Sequence, residues 1–186
     1  MKILVVVDMQ NDFIDGALGT PEAQAIVPNV VKKINNWNDM IFVTQDTHSA
    51  EKYPSTLEGK KLPVKHCVYG SEGWQMNSKI DNAVFPHWTD LSSDSNVEWF
   101  TKHTFGSMEL VEAVRRLDYN NEVTEIEIVG LCTNICVVSN AILLRAAFPN
   151  MPITVDASCC AGVTPETHKA ALTTMRSCQI DVIGEE

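Results

Sequence analysis

Cys132 and Cys136 stand four residues apart in GLCTNICVVSN (130–140), between a run that reads as a buried strand and one that reads as a helix. Three chemistries fit that stretch alone: a structural thiol pair, half of a metal clip, or a nucleophile held at a strand-to-helix turn. A free thiol, with a pKa near 8.5, is only a few per cent thiolate at neutral pH. The unpaired N–H groups and the dipole of a first helical turn favour the anion. A nearby ammonium favours it further, at about 1.4 kcal/mol for each tenfold gain in acidity. Lys102, ending VEWFTK, is the candidate cation, and Asp8, directly after KILVVV, is the candidate acceptor of the thiol proton. A partly buried Asp8 can hold that proton and return it to a leaving group. The N–H groups of Cys132 and Cys136 can hold an oxyanion, and losing one such donor costs about 3–4 kcal/mol in rate. Asp8, Lys102 and Cys136 together describe covalent acyl transfer. The plainer reading is an Asp8–Lys102 ion pair beside a Cys136 that packs in the core. A redox pair fits less well, because the spacing is C-x3-C where thioredoxin-like sites have C-x-x-C.

A second constellation lies in DTHSAEKYP…LEGKKLPVKHC, residues 46–67. Asp46 and His48 alternate, so they share a face in extended chain. His66 returns eighteen residues after His48, with Glu58 in reach on the same loop. Two imidazoles and carboxylates suit Zn²⁺, Fe²⁺ or Mn²⁺ and leave positions for water or a ligand. One Asp-x-His also occurs where it only caps a turn; His66 is what turns the pair into a candidate ligand set. His87, His103 and His168 have no such partners and read as surface or packing residues.

Something must bring these groups together. Short apolar, β-branched runs at 2–7, 40–45, 97–102, 125–130, 152–157 and 179–184 alternate with helical patterns around 28–38, 106–117, 134–147 and 165–177. Thr164-Pro165-Glu166 is a helix start, with a capping hydroxyl, a proline at the first position and an acid at the positive end of the dipole. Strand–helix alternation with these crossovers predicts an α/β fold, a mainly parallel six-stranded sheet with helices on both faces. Asp8, Asp46, Lys102 and the Gly130 turn all follow strands, and Cys159-Cys160 fall just past the fifth run. The crevice outside the carboxyl ends of such strands is where ligands bind. The stretch 46–96 is too long for a plain crossover and reads as a function-carrying excursion.

Composition narrows the classes. The 186 residues suit one domain spanning 1–186, and the net charge of −10 argues against nucleic acid or an anionic membrane surface as partner. The first apolar run is too short for a signal segment, and no run reaches about 20 apolar residues, so no membrane span is expected and the cytoplasm is the default. Six cysteines in such a chain read as free thiols. The first strand leads into DMQNDF and not a glycine-rich turn, which disfavours nucleotide-cofactor binding.

Five motifs in order, VVVDMQNDF (5–13), DTH (46–48), HCVYGSEG (66–73), TKHTFGS (101–107) and GLCTNICV (130–137), resemble the nicotinamidase/isochorismatase-like cysteine hydrolases. The resemblance implies a three-layer, Rossmann-like sandwich, Asp8, Lys102 and Cys136 as the catalytic triad, and a cis Leu131–Cys132 peptide that forms the oxyanion hole. It places Phe13 beside the substrate ring, Leu131 at the substrate, and Asp46, His48, His66 and Glu58 around a divalent metal, Zn²⁺ first, with Fe²⁺ or Mn²⁺ as alternatives. The metal set resembles the nicotinamidase (pyrazinamidase) branch, which implies hydrolysis of nicotinamide or a close aromatic amide through a Cys136 thioester, in a homo-oligomer. Other small amides or carbamoyl compounds are the alternative substrates, and a non-catalytic binding protein of this fold the other class. Asn134 stands where the family commonly has Asp, and Trp74 and Trp88 are candidate pocket walls.

Overall fold

In the computed structural model of the chain, residues 1–87 and 96–185 are described. Six strands, β1 (Lys2–Val7), β2 (Met40–Asp46), β3 (Val97–Lys102), β4 (Glu125–Leu131), β5 (Ile153–Ala161) and β6 (Asp181–Ile183), pair in parallel in the order β3-β2-β1-β4-β5-β6. Helices α1 (Asn11–Ile14), α2 (Pro21–Asn35), α3 (Leu57–Lys61), α4 (Ser78–Val84), α5 (Met108–Leu117), α6 (Val138–Ala147) and α7 (Pro165–Ser177) connect them. The chain winds outward through β1, β2 and β3, then crosses back to β4. The switch point lies between β1 and β4, where ligands bind in open sheets of this kind.

Strand alternation explains the layers. Ile3, Val5 and Val7 face a cluster closed by Leu110, Val111, Val114, Leu144 and Leu172 of α5, α6 and α7. Leu4 and Val6 face a second cluster closed by Ile26, Val27, Val30 and Ile34 of α2 and by Ile80 of α4. The five apolar β1 side chains, residues 3–7, are fully buried. No helix among the described residues is long and apolar enough to cross a membrane.

Three expectations are revised. The first long helix starts at Pro21, not 28: Thr20 caps it by accepting the Ala23 N–H, and Pro21 sits at the first position. Pro28 inside it is exposed, as is Gln24, so the carbonyl left without a donor faces water. Next, β5 runs on to Ala161, so Cys159 and Cys160 lie within the strand. A bulge accounts for the extra length, because two steps from Ile128 to Gly130 on β4 match five from Val155 to Cys160 on β5. Finally, the pattern around 106–117 begins as helix at Met108, and that around 134–147 opens as a π-type turn over Thr133–Val137 before α-helix from Val138. The excursion after β2 contains α3 and α4, while Trp88 lies outside the described residues.

Gly130 sets how closely the two halves of the sheet meet. Its φ is +118°, and a Cβ there would lie 2.1 Å from the Val7 carbonyl oxygen. Gly130→Ala should therefore destabilise the protein by about 2 kcal/mol or more, a fall in Tm of about 4–8 °C. Thermal unfolding followed by circular dichroism checks this; an unchanged Tm would contradict the close approach.

Candidate active site

The parallel register delivers the reactive groups to one edge. Val7 pairs with Thr44 and with Gly130, and Asp46 pairs with Lys102. Asp8, one residue beyond β1, is fully buried with φ +47°, a left-handed conformation unusual for a non-glycine residue. Its N–H donates to the Thr44 carbonyl at 3.2 Å, and the Thr44 hydroxyl donates to Asp8 Oδ1 at 2.6 Å. The other oxygen, Oδ2, lies 2.6 Å from Lys102 Nζ in a buried ion pair. Lys102 Nζ donates to Cys136 Sγ at 3.4 Å and lies 3.6 Å from Asp46 Oδ1. Asp8, Lys102 and Cys136 thus touch in sequence.

Burial dominates their acidities. It pushes Asp8 above the ordinary carboxyl range, against the pull of the Lys102 charge. Cys136 is pushed well above an ordinary thiol, by burial first and by the Asp8 charge second. For Lys102 burial works against the charge, but Asp8, Cys136 and Asp46 outweigh it and the ammonium persists. Burial thus favours the neutral thiol of Cys136 beside the Lys102 ammonium.

A wide turn presents the sulfur. The Leu131–Cys132 peptide is cis, and the Cys132 carbonyl accepts the N–H groups of both Ile135 (3.0 Å) and Val137 (3.1 Å). Thr133–Val137 therefore form one π-type turn ahead of α6, an irregularity often found at functional sites. Cys132 and Cys136 both line the adjoining cavity. Asn140, fully buried one turn into α6, donates to the Cys136 carbonyl (2.8 Å) and to the Phe105 carbonyl (3.3 Å), and accepts the Ser107 N–H (2.9 Å). It fastens the nucleophile's helix to the loop that follows Lys102.

Beside this stands a second cluster. The ligand atoms of Asp46, His48, Glu58 and His66 all lie within 4.8 Å of one another. His48 Nε2 is 2.9 Å from Asp46 Oδ2, and His66 Nε2 is 3.6 Å from Asp46 Oδ2 and 3.4 Å from Glu58 Oε1. His66 Nδ1 donates to the Val64 carbonyl at 2.9 Å, which turns Nε2 inward, the outer-shell support typical of ligating histidines. The charges fit a cation. Burial disfavours the His66 imidazolium, yet Asp46 and Glu58 push its pKa up to about 10. Burial would raise Asp46, but His48, His66 and Lys102 hold it well below the carboxylate range. Two imidazoles with two carboxylates, set this close together, are a donor set suited to a divalent metal.

Both clusters border one cavity of about 580 Å³. Phe13, Leu131, Asp46, Glu58, His66, Cys132 and Cys136 all line it. The Phe13 ring packs against His66 with centroids 5.5 Å apart.

The Isochorismatase domain model matches residues 2–186. The chain belongs to that family. Within it, the chain is 25% identical over 194 residues to the nicotinamidase/pyrazinamidase of Mycobacterium tuberculosis, with 98% of each chain covered. Among solved structures it is similar to the nicotinamidase PncA from Bacillus subtilis (24% identity, 98% of both chains, TM-score 0.79). It is also similar to the pyrazinamidase of Pyrococcus horikoshii in complex with zinc (25% identity, 99% of both chains, TM-score 0.72). Family and relatives together make the chain an amidohydrolase.

Some of this isochorismatase-family site was not among the expected residues. Gln10 is a buried splint: Nε2 donates to the carbonyls of Asp46 (2.9 Å) and Trp74 (2.8 Å), and Oε1 accepts the Asp46 N–H (2.8 Å). Asp12 Oδ2 accepts the Cys67 N–H at 2.7 Å, beside His66. Tyr53 packs its ring on His48 and His66 at 4.7 and 5.2 Å. Gln10 and Asp12 do alternate with Asp8 in VVVDMQNDF, and that was the available signal. Trp74 is not a pocket wall; its indole N–H donates to the Thr47 hydroxyl at 2.8 Å. His103 does line the cavity, with Nδ1 donating to the Thr47 carbonyl at 2.8 Å. His168 shares a 2.8 Å hydrogen bond between Nδ1 and the Thr133 hydroxyl, which braces the nucleophile turn.

The metal reading predicts about one bound divalent ion per chain after exposure to Zn²⁺. His66→Ala should keep the native circular dichroism spectrum. Its affinity should fall by more than the roughly 10–100-fold that loss of an outer-shell partner costs. Equal affinity in titration calorimetry would reject His66 as a ligand.

Proposed function

We propose that the chain hydrolyses nicotinamide, or a close aromatic amide, to the acid and ammonia through a thioester on Cys136. The observation that carries this reading is the contact sequence Asp8–Lys102–Cys136, whose Cys136 end lines the same cavity as Asp46, Glu58 and His66. The relatives named for nicotinamide and pyrazinamide support the same substrate class.

The residues divide the work. Sγ of Cys136 attacks the amide carbonyl as its proton passes to Asp8 Oδ2, while Lys102 holds the passing negative charge in place. The N–H groups of Cys132 and Cys136 hold the oxyanion. Collapse breaks the C–N bond, and Asp8 gives its proton to the departing ammonia. A water molecule, losing its proton to Asp8, then adds to the thioester carbonyl; the C–S bond breaks and the thiol recovers that proton. A carboxyl raised by burial is suited to both directions, because its acidity moves toward neutrality. Asp46, His48, His66 and Glu58 would hold the metal, which when bound supplies a Lewis acid for the pyridine nitrogen; Zn²⁺ suits this donor set, and a zinc-complexed relative supports it. Phe13 would flank the ring. A role in NAD salvage, a cytoplasmic location and a homo-oligomeric assembly belong to the same reading.

Ammonia release from nicotinamide tests it. Cys136→Ala and Asp8→Asn should each lower kcat/KM by at least about 1,000-fold with the fold intact. Chelation should lower turnover until metal is returned. Undiminished release from Cys136→Ala would sink the thioester, and no release from the metal-loaded native protein would reject nicotinamide.

A further inference from the structure

The cavity is larger than the ligand that the relatives' names suggest. Allowing each non-hydrogen atom a full water's share of about 30 Å³, nicotinamide takes about 270 Å³. That is less than half of the 580 Å³ present. Beyond the Cys136 and metal-cluster walls the lining is mostly apolar, Leu18, Leu57, Leu62, Phe105 and Val163, with Lys61 and Thr104 among them. Three of them are unusually exposed for large apolar side chains, Leu57 at 72%, Phe105 at 45% and Val163 at 49%. They come from separate segments, at the start of α3, between β3 and α5, and between β5 and α7. Apolar side chains from several loops, left in water around one opening, mark a binding surface.

These walls are also fixed. The Val163 N–H donates to Asn134 Oδ1 at 2.9 Å, and the Phe105 carbonyl accepts from Asn140. Tyr53, packed on the two histidines, donates from its hydroxyl to the Leu62 carbonyl at 2.8 Å. Gly59 of α3 sits so close to Tyr53 that a Cβ would lie 2.0 Å from the Tyr53 carbonyl oxygen. The Leu18 N–H donates to the Asp12 carbonyl at 2.8 Å. These anchors fix the backbone of the vestibule's loops, and several of them run to residues that also frame the two clusters.

We infer that the chain's substrates are aromatic carboxamides bearing a second apolar group, a ring or an alkyl chain of similar size, which this vestibule receives. The inference rests on the amidase reading of Cys136 and deepens it. Nothing in the vestibule touches the reacting atoms, so its side chains set preference and not chemistry.

The test compares kcat/KM of the metal-loaded native protein on nicotinamide with nicotinamides carrying a phenyl group at each free ring carbon in turn. At least one isomer should exceed nicotinamide by about tenfold or more. The double variant Leu57→Ala/Val163→Ala, both exposed and outside the catalytic and metal residues, should lose most of that preference and leave nicotinamide turnover unchanged. If nicotinamide is hydrolysed and every phenyl isomer is slower, the vestibule inference is overturned and the amidase reading stands. A double variant that slows both substrates equally also overturns it. If no amide is hydrolysed, the amidase reading fails, and this one with it.

Discussion

The ammonium of Lys102 is buried at the carboxyl edge of the sheet, between Asp8 and Asp46. Taking such a charge from water costs several kcal/mol unless partners surround it, and removing one partner of a buried pair typically costs about 3–5 kcal/mol. The surrounding structure answers that constraint. Asp8 leans on Thr44, Asp46 is splinted by Gln10 and turned toward two imidazoles, and Cys136 offers its sulfur as the third neighbour. Strand register makes this possible, because β1, β2 and β3 must end level for Asp8, Asp46 and Lys102 to meet.

One residue joins the two halves of the site. Asp46 directs Oδ1 toward Lys102 and Oδ2 toward the histidines. Any change in charge at the metal cluster is therefore felt by Lys102, and through it by Asp8 and the thiol. The Asp46–His48–Glu58–His66 cluster and the Asp8–Lys102–Cys136 group are electrostatically linked through this carboxylate.

Much of this was legible in the sequence because the chemistry sits in local signals. Near-continuous apolar runs gave strands covered on both faces, and each reactive residue followed such a run. DTH and the later His66 already formed a ligand set, and Glu58 proved to lie with them. What was not legible depends on contacts between distant segments. Gln10 reaches Asp46, Asn140 reaches the loop after Lys102, and Tyr53 stacks on the histidines; no local pattern reports those pairings. The sequence reading places this helical pattern only from about residue 28, whereas Thr20 and Pro21 start the helix earlier and it carries Pro28 on its solvent side. The β5 bulge carried Cys159 and Cys160 into a strand that periodicity had ended at residue 157. His103, without ligand partners in sequence, became a cavity wall because β3 ends beside it.

The central claim is that Cys136 forms a covalent bond to the acyl group within the Asp8–Lys102 frame. Rapid acid quench of the native enzyme during turnover of nicotinamide, followed by peptide mass spectrometry, reads that bond directly. The account predicts a pyridine acyl adduct on the peptide bearing Cys136, lost on treatment with hydroxylamine and absent from the peptides of Cys132 or the other cysteines. Turnover with no adduct on Cys136 under conditions where deacylation is slowed, or an adduct on another residue, would contradict it.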